Sequence, residues 1–310
     1  LMEWVTPNLR FARHIHQPST KGRTNKEQTT EPKDSSELCQ RTLVGLPVRC
    51  ETQAMISVII PTLNSEATLG RCLIALVPAA VDGLVQQVVV ADGGSCDRTL
   101  SMAEEAGADI VESQPGRGQQ ICSGIAQARA RWLMVLHSDT ELQSGWEAEV
   151  SAFMRSVDLG ERDRGAAAFR YALDDHGFMP RLMEAMVHAR SHLAKLPYGD
   201  QALLMPRRLY EEIGGYKPMP VMEDFEIIRR LGRRRVSILK SSALTSSARY
   251  RDEGYLRRVA RNQLCLIMYA WGVPLERIAA YYSAAAKQSD TAPGISDTAA
   301  KSAAHNIKTS

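Results

Sequence analysis

An α/β fold with a mostly parallel sheet is what this 310-residue chain predicts. Three observations carry the prediction. Short β-branched runs alternate with segments of helical spacing, the runs are apolar throughout, and polar clusters follow directly after them. All three patterns fall between residues 55 and 140.

Met55-Ile-Ser-Val-Ile-Ile60 is an apolar run closed by Pro61, the pattern of a strand buried on both faces. Ala67 to Ala80 has helical spacing at Leu69, Cys72, Leu73 and Leu76. Gln87 to Val90 is a second strand leading into Ala91-Asp-Gly-Gly-Ser95. Asp97 to Ala106 reads as a helix, with Asp97 as its N-cap. Asp109 to Val111 gives a short third strand and Gly118 to Arg129 a helix. Trp132 to Leu136 is a fourth strand that stops at His137, with the next helix expected to begin near Leu142.

Around this core the composition changes. Residues 1–54 read as a disordered extension, because 17–40 is rich in Thr, Lys, Glu, Ser and Pro with almost no large apolar residue. Met55, directly before the first strand, reads as the start of the folded part. Residues 55–283 form the predicted folded domain, and 284–310 read as a disordered tail. Hydrophobic content of 44% and charged content of 24% suit an ordinary globular protein. A net charge of +3 gives no case for nucleic acid. The six cysteines show neither CxxC nor zinc-ligand spacing, a pattern of reduced thiols. No apolar run is long enough to span a bilayer, and the N-terminus has no signal-peptide pattern. The expected compartment is the cytoplasm, against the inner membrane face in one reading.

The two commonest nucleotide motifs, GxGxxG after the first strand and the Walker A loop, are absent, which removes the main support for a dehydrogenase or kinase. What remains are acidic and amide side chains at strand ends, where ligands bind in such sheets. Asp92, backed by Gly93 and Gly94, can accept from a ribose hydroxyl or a base N–H. The same residues also make a plain strand-to-helix turn. Asp139 follows the apolar fourth strand, with His137 and Ser138 beside it. A hard cation favours one or two carboxylates plus phosphate oxygens there, and a turn aspartate capping a helix fits equally. Arg117, flanked by Gly116 and Gly118, can meet an anion or be a solvated loop residue. Glu223-Asp224 opens an amphipathic helix, as a cap or as a general base.

In order, these clusters resemble the family 2 glycosyltransferases of the GT-A fold. The resemblance rests on Ile59-Ile-Pro-Thr-Leu-Asn64, Asp92-Gly-Gly-Ser-Cys-Asp97, His137-Ser-Asp139 and Glu223-Asp224. A bacterial subgroup, the radical-SAM/selenodomain-associated transferases, is similar over further stretches. These are Pro115-Gly-Arg-Gly118, Leu136 to Thr140, Leu196-Pro-Tyr-Gly-Asp-Gln-Ala202, Met222-Glu-Asp224 and Thr245-Ser-Ser-Ala-Arg249. The similarity spans about 55–282. It implies a Rossmann-like, mostly parallel sheet flanked by helices, with 55–283 as the catalytic domain.

Residue by residue, the resemblance implies that Pro61, Thr62 and Asn64 line the nucleoside pocket and that Asp92 and Gly93 contact base or ribose. Arg117 and Ser138 would lie near the phosphates. Asp139, with His137, would hold a divalent metal, Mn²⁺ or Mg²⁺. Asp224, beside Glu223, would be the base of an inverting hexosyl transfer from a nucleotide-diphosphate sugar, a UDP-sugar foremost. Gly199, Asp200 and Gln201 would shape the sugar or acceptor side.

The chain departs from the family pattern at three places. His137 replaces the first aspartate of the metal motif, Ser65 stands where a glutamate is frequent, and Cys122 stands where relatives carry asparagine. A QxxRW motif is absent, which argues against a processive synthase. Tyr255 to Tyr282 reads as an amphipathic helix covering the sheet with its arginines solvated. A cationic surface meeting anionic lipid, with a lipid-like acceptor, is the alternative. Two other functions stay open: a non-catalytic nucleotide-sugar-binding module and a sugar nucleotidyltransferase.

Overall fold

The computed structural model describes residues 55–162, 165–191, 197 and 199–290. The first half alternates as the sequence predicts. Strand β1 (Ile56–Thr62) is buried at every position and runs through Pro61, whose fixed φ suits extended backbone. The segment read as one helix is two, α1 (Glu66–Ile74) and α2 (Val77–Val81). Pro78 explains the break, because proline lacks the N–H that a continuous helix needs but is tolerated in the first turn of a new one. There follow β2 (Val85–Asp92), α3 (Thr99–Glu105), β3 (Asp109–Glu112), α4 (Arg117–Gln127) and β4 (Trp132–Val135). Helix α3 starts two residues later than read. Asp97 still caps it from outside, its Oδ1 accepting from the Thr99 N–H at 3.0 Å.

After β4 the expectation of a helix near Leu142 is overturned. Thr140–Leu142 is strand β5, and α5 begins only at Trp146, running to Asp158. Asp139 therefore caps no helix. The second half adds β6 (Ala166–Leu173), α6 (Phe178–Ala189), β7 (Leu203–Pro206), α7 (Arg207–Glu212), α8 (Glu223–Leu231) and β8 (Val236–Thr245). Helices α9 (Ala248–Glu253), α10 (Tyr255–Ala270) and α11 (Leu275–Asp290) close the described chain. The last helix runs to Asp290, seven residues past the 283 boundary read from the sequence. Residues 1–54 and 291–310, read as disordered, lie outside the described residues.

The eight strands form one sheet in the order β3-β2-β1-β4-β7-β6-β8-β5. β1 is parallel to β2 and β4, β2 to β3, and β6 to β8. β7 runs antiparallel between β4 and β6, and β5 antiparallel to β8. Alternation along β1 divides the core. Ile56, Val58 and Ile60 face α1, α3 and α5, while Ile59 faces α4, α7 and α8. The first layer is anchored by Trp132 and Trp146, each in edge contact with a phenylalanine. With both faces covered, the carboxyl ends of β1, β2 and β4 become a shared edge at which polar residues can meet a ligand.

Candidate active site

The ends of β1 and β2 are knitted into one rigid ledge. Asp92 is 1% exposed, and its carboxylate accepts from Thr62 Oγ1 (2.9 Å), Ser95 Oγ (2.6 Å) and the Gly94 and Ser95 N–H groups (2.9 and 2.7 Å). Burial alone would raise its pKa. Hydrogen bonds from Ser95, Thr62 and Gly94 outweigh that and hold it below the ordinary aspartate value. Asn64 takes a left-handed φ of 49° that presents its Oδ1 to the Cys96 N–H at 2.9 Å. Pro61, Thr62 and Gly93 are buried, so the ledge meets solvent mainly through Leu63, Asn64, Gly94 and Cys96.

Gln120 was not singled out from the sequence, yet it ties this ledge to α4. Its amide donates to the Thr62 carbonyl at 2.5 Å and the Ala91 carbonyl at 3.1 Å. The signal available was its place beside Ile121 and Gly124 on the buried face of α4. Glu66 also finds a place, accepting from the Arg98 N–H at 3.2 Å. Ser65 reaches Ser138 across 2.9 Å, linking the ledge to the end of β4. Cys122 turns inward, its Sγ donating to the Tyr216 carbonyl at 3.3 Å.

Beyond the ledge, β4, α4 and α8 bring charged groups together. Arg117 opens α4, and its guanidinium lies 3.5 Å from Glu223 and 4.0 Å from Asp224. Both acids sit in the first turn of α8, where the positive end of the helix favours them. His137 Nε2 is 3.6 Å from Asp224 Oδ2. One ligand atom from each of His137, Glu223 and Asp224 falls within 4.8 Å of the others. Burial, with help from Arg117, keeps the His137 imidazole neutral by lowering its pKa, against the pull of Asp139.

These donors fit a divalent cation. His137 Nε2 is buried without a hydrogen-bond partner among the described residues, and a neutral imidazole beside two carboxylates suits a divalent metal ion. The sequence reading placed the metal at Asp139 with His137. The structure brings His137 together with Glu223 and Asp224, and Asp139 lies 3.8 Å from Arg249. Asp139 nonetheless shares their field. Its pKa is lowered against burial by the Arg249 and Arg117 guanidinium groups.

The Gly199–Gln201 turn divides its labour. Gln201 is fully buried, its Oε1 accepting from Ser191 Oγ and its Nε2 donating to the Phe169 carbonyl. Asp200 has a buried Oδ1 with no hydrogen-bond partner among the described residues. Burial pushes its carboxyl up, with Arg190 opposing and Asp139 assisting. A small cleft lined by Ala168, Pro197, Ala202, Leu203, Tyr216 and Ile228 opens at Asp224.

Residues 57–164 match the model of Glycosyl transferase family 2, a stretch of about a third of the chain. Glucosyl-3-phosphoglycerate synthase of Mycolicibacterium paratuberculosis is 34% identical over 93 residues, 27% of this chain and 28% of that protein. An uncharacterized glycosyltransferase of Mycobacterium tuberculosis is 32% identical over 91 residues, 29% of this chain and 39% of the relative. The chain thus spans well under half the length of either relative. Among solved structures, glucosyl-3-phosphoglycerate synthase of Mycobacterium tuberculosis with Mn²⁺, UDP and glucosyl-3-phosphoglycerate is similar at a TM-score of 0.49. It is 21% identical, with 71% of this chain and 81% of that one covered.

Proposed function

We propose that this chain, whose residues 57–164 match the model of Glycosyl transferase family 2, is an inverting, metal-dependent glycosyltransferase that takes a UDP-sugar as donor. One observation carries the reading. A buried, neutral imidazole, two carboxylates and an arginine converge beside the carboxyl end of β4, the kind of sheet edge at which α/β folds bind ligands. The motifs quoted from the sequence further support the radical-SAM/selenodomain-associated subgroup. A UDP donor, which the resemblance read from the sequence puts foremost, is the first to test.

In this reading His137, Glu223 and Asp139, once Asp139 exchanges Arg249 for the metal, would hold a divalent cation, which would supply positive charge against the donor diphosphate. Arg117, now paired with Glu223 and Asp224, carries the positive charge that would meet the leaving phosphate. The nucleoside lies along the Asn64 and Gly94 ledge and reaches Asp92 by exchanging for the Ser95 hydroxyl. Asp224 sits at the mouth of the apolar cleft and takes the proton of the acceptor hydroxyl as it attacks the anomeric carbon from the face opposite the diphosphate. Asp200 faces the sugar.

The test is calorimetry on the full chain with UDP and with GDP, in Mn²⁺ and then in EDTA. UDP binding that needs Mn²⁺ and is lost in Asp139→Ala is expected. Asp224→Asn should keep that binding while turnover, once an acceptor is found, falls about 10²- to 10⁴-fold. If neither nucleotide binds with or without metal, the donor site is wrong. Retained binding with no transfer to any acceptor by the wild type would favour a non-catalytic nucleotide-sugar-binding module.

A further inference from the structure

Helix α10 is inverted in polarity. Its buried side carries charge: Arg258 and Arg261 turn inward and pair with Glu253 at 2.8 and 2.7 Å, stacked over Tyr250 and Tyr282. The expectation of solvated arginines is overturned for these two, because the carboxylate and the rings that they meet lie on the inner side. Its outer side is apolar. Leu256, Ala260, Leu264, Ile267 and Trp271 recur at intervals of three and four, so they share one face. Leu256 is 74% exposed and Trp271 84%. Neighbouring α6 repeats the pattern with Phe178, Leu182 and Met186, spaced four apart and all exposed. Met183 and Val187 of α6 pack with Tyr250 of α9, against which Val259 of α10 also packs.

A stripe of this kind facing water is unusual without a partner. We propose that the outer faces of α6 and α10 dock on an anionic lipid bilayer. Charge argues for that occupant. Along α10 there is no Asp or Glu, and Arg257 is exposed beside the stripe. The sole acid of α6, Glu184, is half-buried and bound to Arg181 and to the Leu173 N–H. Among the described residues these two faces thus present cations and no exposed carboxylate. Area argues against a second copy. A helix of 16 residues is about 24 Å long and about 10 Å across, so two such faces fall well short of the roughly 800 Å² per partner of a stable dimer. A bilayer sets no such threshold, since a few apolar side chains and a cation suffice for reversible binding at the headgroup level. A tryptophan at the stripe's end suits that depth.

The inference is independent of the transferase reading, and its test does not need turnover. The full chain is floated with vesicles of phosphatidylcholine, or of an equimolar mix with phosphatidylglycerol, and Trp emission is followed. Trp132 and Trp146 are buried, whereas Trp271 is exposed and should report contact by a blue shift that disappears in Trp271→Phe. Binding to the anionic vesicles is expected, weakened by salt, and reduced at least about tenfold in Leu264→Glu/Ile267→Glu. An unchanged circular dichroism spectrum confirms that this variant folds. No flotation, or flotation that the double variant leaves intact, overturns the proposal. So does a full chain that elutes as a dimer and becomes a monomer in the variant, because a second copy then covers the stripe.

Discussion

At the scale of single residues, the best-defined group is the one the site uses most indirectly. Asp92 accepts four hydrogen bonds, and its lowered pKa means that the folded state favours the charged form more than the unfolded chain does. Its contribution is therefore complete above the unfolded value of about 3.9 and is lost as pH falls through the lower folded value. Asp92→Asn should cost about 1–3 kcal/mol at pH 7, because an amide cannot accept from all four donors at once. Urea unfolding at pH 7 and at stepwise lower pH checks this. The gap between wild type and variant should close in acid. A gap that stays constant or grows would mean that some other contact carries the loss. Individual residues were legible where their chemistry is encoded by type and neighbours, as with Arg117 between glycines or Asp224 after Glu223. Gln120 was not, because its importance comes from which backbone carbonyls α4 brings within reach.

Elements were legible in proportion to how uniform their surroundings are. β1 and β2 are covered on both faces, so burial selects continuous β-branched runs that announce themselves. β6 reads AAAFRYAL and β8 VSILKSSALT, strands with polar or alanine-rich stretches that carry no such pattern. α10 was legible as amphipathic but not in orientation, since the carboxylate that draws Arg258 and Arg261 inward lies before the helix. The start of α4 offers a test at this scale. A Cβ on Gly118 would lie 2.5 Å from the Lys217 carbonyl oxygen and 2.7 Å from the Met219 nitrogen, backbone atoms that no rotamer can move aside. Gly118→Ala should therefore push α4 away from the segment leading into α8, at about 1–3 kcal/mol. It should also separate Arg117 from Glu223 and weaken nucleotide binding, while Gly160→Ala at an open surface turn changes stability alone. Full nucleotide affinity in Gly118→Ala would sever that link between helix packing and site.

At the scale of the molecule, the candidate site is divided between two halves of one sheet. The first half, through β4, supplies the ledge, His137, Asp139 and, from α4, Arg117. The second supplies Glu223 and Asp224 from α8, which packs on the face containing Ile59. A cation held by His137 and Glu223 would tie these halves together, and a ligand that binds only the folded state stabilises it by mass action. At about a hundredfold excess over its dissociation constant, Mn²⁺ with UDP should add about 2.7 kcal/mol, or roughly 5–10 °C in Tm for a domain of this size. Differential scanning calorimetry with Mn²⁺, with UDP and with both separates the contributions. His137→Ala and Glu223→Gln should each abolish most of the joint shift, since each removes the donor from one half. If Glu223→Gln retains the full shift while His137→Ala loses it, the cation rests on the first half alone. The carboxylates of α8 would then be left for proton transfer, and Asp139 would be the one carboxylate ligand beside the imidazole.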